Sequence, residues 1–69
     1  MEDSELITRF THHPPKPEQI GIYREIRSRA LELARYINGT VPDCREKAQA
    51  FTDLEDAVMH ANAGVARHT

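Results

Sequence analysis

The chain has no tryptophan, a single cysteine and only three glycines in 69 residues, and each shortage closes off a route. With Cys44 alone, an intrachain disulfide is impossible. Gly21, Gly39 and Gly64 are scattered, so there is no glycine-rich phosphate loop, and neither HExxH nor CxxC occurs. His12, His13, His60 and His68 offer no ligand pair with Cys44 at zinc-site spacing, so neither metal nor cofactor is expected. His60 one turn after Asp56 is a common surface pairing, and no enzyme is expected from it. No apolar run approaches the roughly 20 residues that span a bilayer. The opening Met1-Glu2-Asp3-Ser4-Glu5 is the reverse of a basic signal-peptide start, so the expectation is a cytosolic chain with no membrane partner. A formal charge of −2 argues against a DNA-coating protein.

What remains is a small helical sequence with too little chain for a self-sufficient core. Domains of this length bury too small a fraction of their surface and usually need a disulfide, a metal or self-association. With the first two excluded, homo-oligomerisation is expected. Residues 1–16 read as an extended N-terminal arm closed by Pro14, Pro15 and Pro17, with room for one helical turn around Leu6 and Ile7. Residues 17–69 read as a helical hairpin. Its first helix runs from Pro17, a favoured first position, to about Ile37, before a stop at Asn38-Gly39. Asn38-Gly39-Thr40, formally a glycosylation acceptor, reads as part of the turn 38–42. A second helix, 43–67, starts at Asp43 as cap with Glu46 completing a capping box.

On the first helix Ile20, Ile22, Tyr23, Ile26, Ala30, Leu31, Leu33, Ala34 and Ile37 cover about half the circumference at 100° per residue. On the second, Cys44, Ala48, Phe51, Leu54, Val58, Ala61 and Val65 alternate spacings of three and four, a coiled-coil-like seam. In that seam Cys44 reads as a core residue before it reads as a reactive thiol. Both stripes are wider than one partner helix covers, so several hairpins should pack together. The fold class is therefore all-α: an antiparallel two-helix hairpin that assembles.

Three features resist a purely structural reading. Arg27 projects inside the apolar arc, between Ala34 and Ile20, where an unpaired guanidinium would be costly. It either pairs with Glu55 across the hairpin or faces a subunit boundary and an anionic ligand, where its planar fork suits phosphate. Asn62 sits at the centre of the second stripe and either fixes register or lines a pocket. Phe10, between Arg9 and His12-His13, is either a hydrophobic plug or a base-stacking platform. Charge is also divided. Residues 9–35 carry a net +3 and residues 43–60 a net −3, which fits two helices that attract each other or a basic site for a small anion.

The ordered set Phe10-Thr11-His12-His13-Pro14-Pro15, Pro17-Glu18-Gln19-Ile20, Tyr23-x-x-Ile26-Arg27, Val41-Pro42-Asp43-Cys44-Arg45-Glu46 and Leu54 through Arg67 resembles one family. It is similar to the helical-hairpin proteins by which bacteriophages disarm cyclic-nucleotide immunity, the anti-CBASS sponges, whose hairpin is shared with the anti-Thoeris sponges. His60 stands where that family often has Trp. The resemblance implies a homohexamer in the host bacterial cytoplasm that sequesters cyclic dinucleotides such as 3′,3′-cyclic GMP-AMP without cleaving them. It also implies that cyclic trinucleotides occupy separate pockets. Carried over by residue, Phe10 would stack on a base, Arg27 would contact the dinucleotide, and Arg9, His12 and Tyr23 would be neighbours. Arg67, with Asn62, would serve the second pocket. The anti-Thoeris relatives have an additional N-terminal domain, so sixteen residues before the hairpin favour the anti-CBASS branch. The alternative is a helical hairpin that only oligomerises or caps another phage protein.

Overall fold

The computed structural model describes residues 2–11 and 14–69. Three helices make up the described chain: α1 (Asp3–Phe10), α2 (Pro17–Thr40) and α3 (Arg45–His68). At 1.5 Å per residue α2 and α3 are each about 36 Å long. They run antiparallel and pack against each other.

The first sixteen residues are not simply an extended arm. Arg9 and Phe10, expected to be extended, close a full eight-residue helix. Asp3 and Glu5 in its first turn and Arg9 in its last oppose the helix dipole at both ends. The Thr8 hydroxyl also donates to the Ser4 carbonyl at 3.0 Å. The helix ends at Thr11, whose β-region backbone (φ −97°, ψ 136°) turns the chain toward the prolines.

Pro17 opens α2 as expected, and the Gln19 side-chain oxygen accepts from the Lys16 backbone N–H at 2.9 Å. The far end departs from expectation, because Asn38-Gly39 does not stop the helix. Among the described residues none has a positive φ, so Gly39 is not used as a left-handed cap. The helix continues to Thr40 and is halted by Pro42, which holds Val41 in the β region. Two contacts replace the glycine cap. The Val41 N–H donates to the Ile37 carbonyl at 2.9 Å, and the Lys47 ammonium donates to the Asn38 carbonyl at 3.0 Å. The cation lies where the helix dipole is negative.

That lysine also changes the start of α3. Asp43 does not cap it. Its carboxylate accepts from Lys47 Nζ at 3.0 Å, and Cys44 takes the N-cap position without a side-chain cap bond. Cys44 is exposed and free, so it is not the core residue that the seam pattern suggested.

Packing follows a narrower stripe than the apolar pattern. Tyr23, Ile26, Ala30, Ala34 and Ile37 of α2 are half-buried against Phe51, Leu54, Val58, Asn62 and Val65 of α3. Ile20, Ile22, Leu31 and Leu33 stay exposed, because one helix can cover only one strip of another. Among the described residues no apolar side chain is fully buried; the two buried residues are Gln19 (1% exposed) and Lys47 (8% exposed). The chain measures 45 × 29 × 12 Å, so its thickness holds a single layer of helices. Its radius of gyration is 15.3 Å, against about 11 Å for a compact domain of this length. A stable domain needs at least two packed layers. One copy of this chain supplies only one.

Candidate functional site

The open end of the hairpin is held by a polar clasp built on Gln19. Its amide nitrogen donates to the Val65 carbonyl at 3.2 Å and to the Thr69 hydroxyl at 2.8 Å. Lys16 Nζ donates to the Thr69 carbonyl at 3.1 Å. The start of α2 is thereby fastened to the end of α3. Arg67 extends the clasp to the third helix, since its Nη2 donates to the Arg9 carbonyl at 3.3 Å. Two residues expected in separate pockets, Arg9 and Arg67, thus meet at one end of the molecule. Gln19, the residue that organises this end, was not a candidate from sequence. Polarity alone carries no sign of burial, and only its place at the third helical position hints at a capping role.

Phe10 lies at the end of α1 and is 83% exposed, so it is not a plug on its own hairpin. Tyr23 is half-buried in the seam. Arg27 stands ten residues into α2, about 15 Å along the helix from Pro17. One copy therefore does not gather Phe10, Tyr23 and Arg27 into a closed pocket. His12 lies outside the described residues.

Arg27 corrects the helical projection. It is exposed, and it stands to one side of the Tyr23–Ile26–Ala30–Ala34 seam. The expected pair with Glu55 does not form. The ion pairs among the described residues are Arg29–Glu25 at 2.8 Å and Lys47–Asp43 at 3.0 Å. Glu25 raises the Arg29 pKa, mainly through the hydrogen bond and secondarily through its charge. Arg24, Arg27 and Arg35 have no such partner and remain free to meet an anion.

Asn62 is half-buried, and its Oδ1 is shut off from water with no donor nearby. An orphaned amide oxygen is a poor device for fixing register within one hairpin, since a buried acceptor without a donor is destabilising.

Two apolar grooves flank the seam. The larger, of about 540 Å³, is lined by Ala30, Leu31, Ala34, Phe51, Leu54 and Met59 among others. The smaller, of about 330 Å³, is lined on the other side by Ile26, Leu33, Ala57 and Ala61. Ala30, Leu54 and Val58 border both, while Leu31 of the larger and Leu33 of the smaller project to opposite sides of Ala30, so the grooves lie on opposite faces of the single layer.

A one-layer helical hairpin with both faces apolar, unpaired arginines on one helix and an exposed aromatic on a short leading helix defines a class: small modules whose contact surfaces lie open on the single chain. Within that class the chain is a member of the Acb2/Tad1 hairpin-domain family, which is the anti-CBASS and anti-Thoeris sponge family; the family model matches residues 2–66. The match takes in α1 as well as the hairpin. No curated protein and no solved structure matches the chain.

Proposed function

We propose that this protein is a bacteriophage anti-immune sponge that binds cyclic oligonucleotide second messengers in the host cytoplasm and withholds them from CBASS effectors, without cleaving them. Membership of the sponge family over residues 2–66 carries this reading. The ligands are cyclic dinucleotides such as 3′,3′-cyclic GMP-AMP, with cyclic trinucleotides in a second pocket class. Arg9, Phe10, His12, Tyr23 and Arg27 serve the dinucleotide, and Asn62 with Arg67 serves the second pocket. Sequestration needs affinity and abundance, and it asks for neither a cofactor nor a catalytic group.

The physical chemistry supports such a site at a boundary between copies. A cyclic dinucleotide has two bases and two phosphates in near two-fold symmetry. An isologous contact between two chains offers matched pairs of residues. Two exposed Phe10 rings suit two bases, and two unpaired Arg27 forks suit two phosphates. An assembly larger than a dimer, in our reading a homohexamer, is favoured because the hairpin has an apolar groove on each face. A single two-fold contact would cover one of them.

Incubation with cyclic GMP-AMP or a cyclic trinucleotide, followed by removal of free ligand and denaturation of the protein, tests the proposal. Recovery of intact ligand is expected. Linear products would turn the reading to a nuclease. Absence of retained ligand would favour the alternative, a module that only assembles or caps another phage protein.

A further inference from the structure

We infer that copies of the chain stack front to back: the larger-groove face of one copy lies on the smaller-groove face of the next. The inference rests on the reading that the chain self-assembles, and it needs no bound nucleotide.

The two faces of the layer differ in charge. On the projection of α2, Arg24, Arg27 and Arg35 lie within about 40° of Leu31, which lines the larger groove. The acid that α3 adds on that side is Glu55, which lines the groove itself. Three arginines against one carboxylate leave the larger-groove face at +2. On the opposite side Glu46 and Asp53 lie within about 40° of Ala57, and Glu18 lies about 60° from Leu33. Ala57 and Leu33 line the smaller groove. Arg29 lines it as well, but Arg29 is paired with Glu25 and the two charges cancel. Three carboxylates therefore leave the smaller-groove face at −3. Arg24, Arg35, Glu18, Glu46 and Asp53 form no ion pair among the described residues.

Apolar surface needs cover on both sides. Ile20 and Leu31 on the larger-groove face, and Ile22 and Leu33 on the smaller-groove face, are 41–50% exposed. Charge selects which face covers which. A face laid on its own kind sets +2 against +2 or −3 against −3, and like charges across a contact are costly. A front-to-back contact sets +2 against −3, and a single kind of contact then covers both grooves. The layer is 45 × 29 Å across, so each face has room for the roughly 800 Å² per partner that a standard contact buries. A heterologous contact of this kind closes into a ring when its rotation allows. A ring of three, doubled by the two-fold ligand contact, contains six copies.

Charge exchange in the full chain tests the inference by native mass at low ionic strength, where exposed charges are least screened. Arg24→Glu with Arg35→Glu makes both faces acidic, and Glu46→Lys with Asp53→Lys makes both basic. Either pair should raise the chain concentration for half-assembly about tenfold or more. All four substitutions together exchange the signs of the faces, and assembly should return to within about threefold of the parent. A control joins Arg24→Glu and Arg35→Glu to Glu32→Lys and Asp56→Lys, which project to the outer edges of the layer. It carries the same net charge as the fourfold exchange and should stay weakened. Circular dichroism checks that every chain is helical, and any loss of helix stability persists in the fourfold exchange, so recovery there reports complementarity. A second measurement uses a Cys44→Ser background. Chains with Leu31→Cys and tagged chains with Leu33→Cys, co-expressed, should give mixed bis-maleimide dimers several-fold above either like pair. Single-face variants that assemble as the parent does, a fourfold exchange no better than the control, or like pairs that match the mixed ones would overturn the inference alone. A monomeric parent would overturn the self-assembly reading with it.

Discussion

Replacing Gln19 with alanine should loosen the open end of the hairpin by about 1–3 kcal/mol. Gln19 is 1% exposed and makes three hydrogen bonds: from Lys16 N–H to its oxygen, and from its amide to the Val65 carbonyl and the Thr69 hydroxyl. Each bond contributes a net of about 0.5–1.5 kcal/mol, so three set a ceiling of about 4.5 kcal/mol. Two effects reduce that figure. The Val65 carbonyl still accepts from the Thr69 N–H in the variant, and a buried glutamine costs up to about 2 kcal/mol of side-chain entropy that alanine does not. Urea unfolding followed by circular dichroism measures the loss. Chain concentration must be fixed, because self-association is linked to stability. Gln19→Met is the control, since it keeps length and helix propensity while removing every polar contact. It should lose about as much as Gln19→Ala. A parent-like Gln19→Met, or a Gln19→Ala within about 0.5 kcal/mol of the parent, would refute the clasp.

Three further outcomes follow from the same geometry. Lys47→Met should cost about 1–2 kcal/mol in the same unfolding assay, since it removes the donor to Asn38 and Asp43 while keeping the stem; Asp43→Ala should cost less than 0.5, because that carboxylate is exposed. Phe10→Ala should leave the unfolding midpoint of the ligand-free protein within a degree or two if its ring meets ligand alone. It should weaken cyclic dinucleotide binding by about thirtyfold or more by calorimetry, because every copy carries the change and both base stacks, about 1–3 kcal/mol each, are lost. Arg29→Ala should not change the thermal midpoint at neutral pH, since the Arg29–Glu25 pair is solvated. Glu25 raises the Arg29 pKa, so whatever the pair contributes through this group is complete at neutral pH and is lost only as pH rises through the strongly alkaline range. A thermal scan from pH 6 to pH 9 should therefore show no difference between parent and variant that varies with pH.

The hairpin was readable because two strong signals agree: proline at the start of α2, and apolar spacing of three and four along both long helices. The errors cluster where one signal competes with another. Asn38-Gly39 resembles a stop, but Pro42 and the Lys47 ammonium set the end of α2 three residues later. Asp43 resembles a cap, yet it is drawn to Lys47 instead. The helical extent of α1 was largely missed because eight residues with three apolar side chains are too few to nucleate visibly from sequence. At the site, a projection angle put Arg27 inside the apolar arc, while the single partner helix covers a narrower strip that leaves Arg27 exposed. Distances between copies decide where Phe10 and Arg27 meet, and no pattern within one chain encodes them directly. Gln19 and Lys47 show the reverse limit. The most buried residues are polar, placed by capping geometry and not by hydropathy.

The central claim is that one copy is an incomplete layer whose core and ligand sites are finished by other copies. Native mass measurement, alone and with a panel of cyclic di- and trinucleotides, tests it most directly. The account predicts a discrete assembly at six times the 7.9 kDa chain mass, which gains mass in whole ligand units. A 7.9 kDa species that unfolds cooperatively and binds ligand one to one would contradict it.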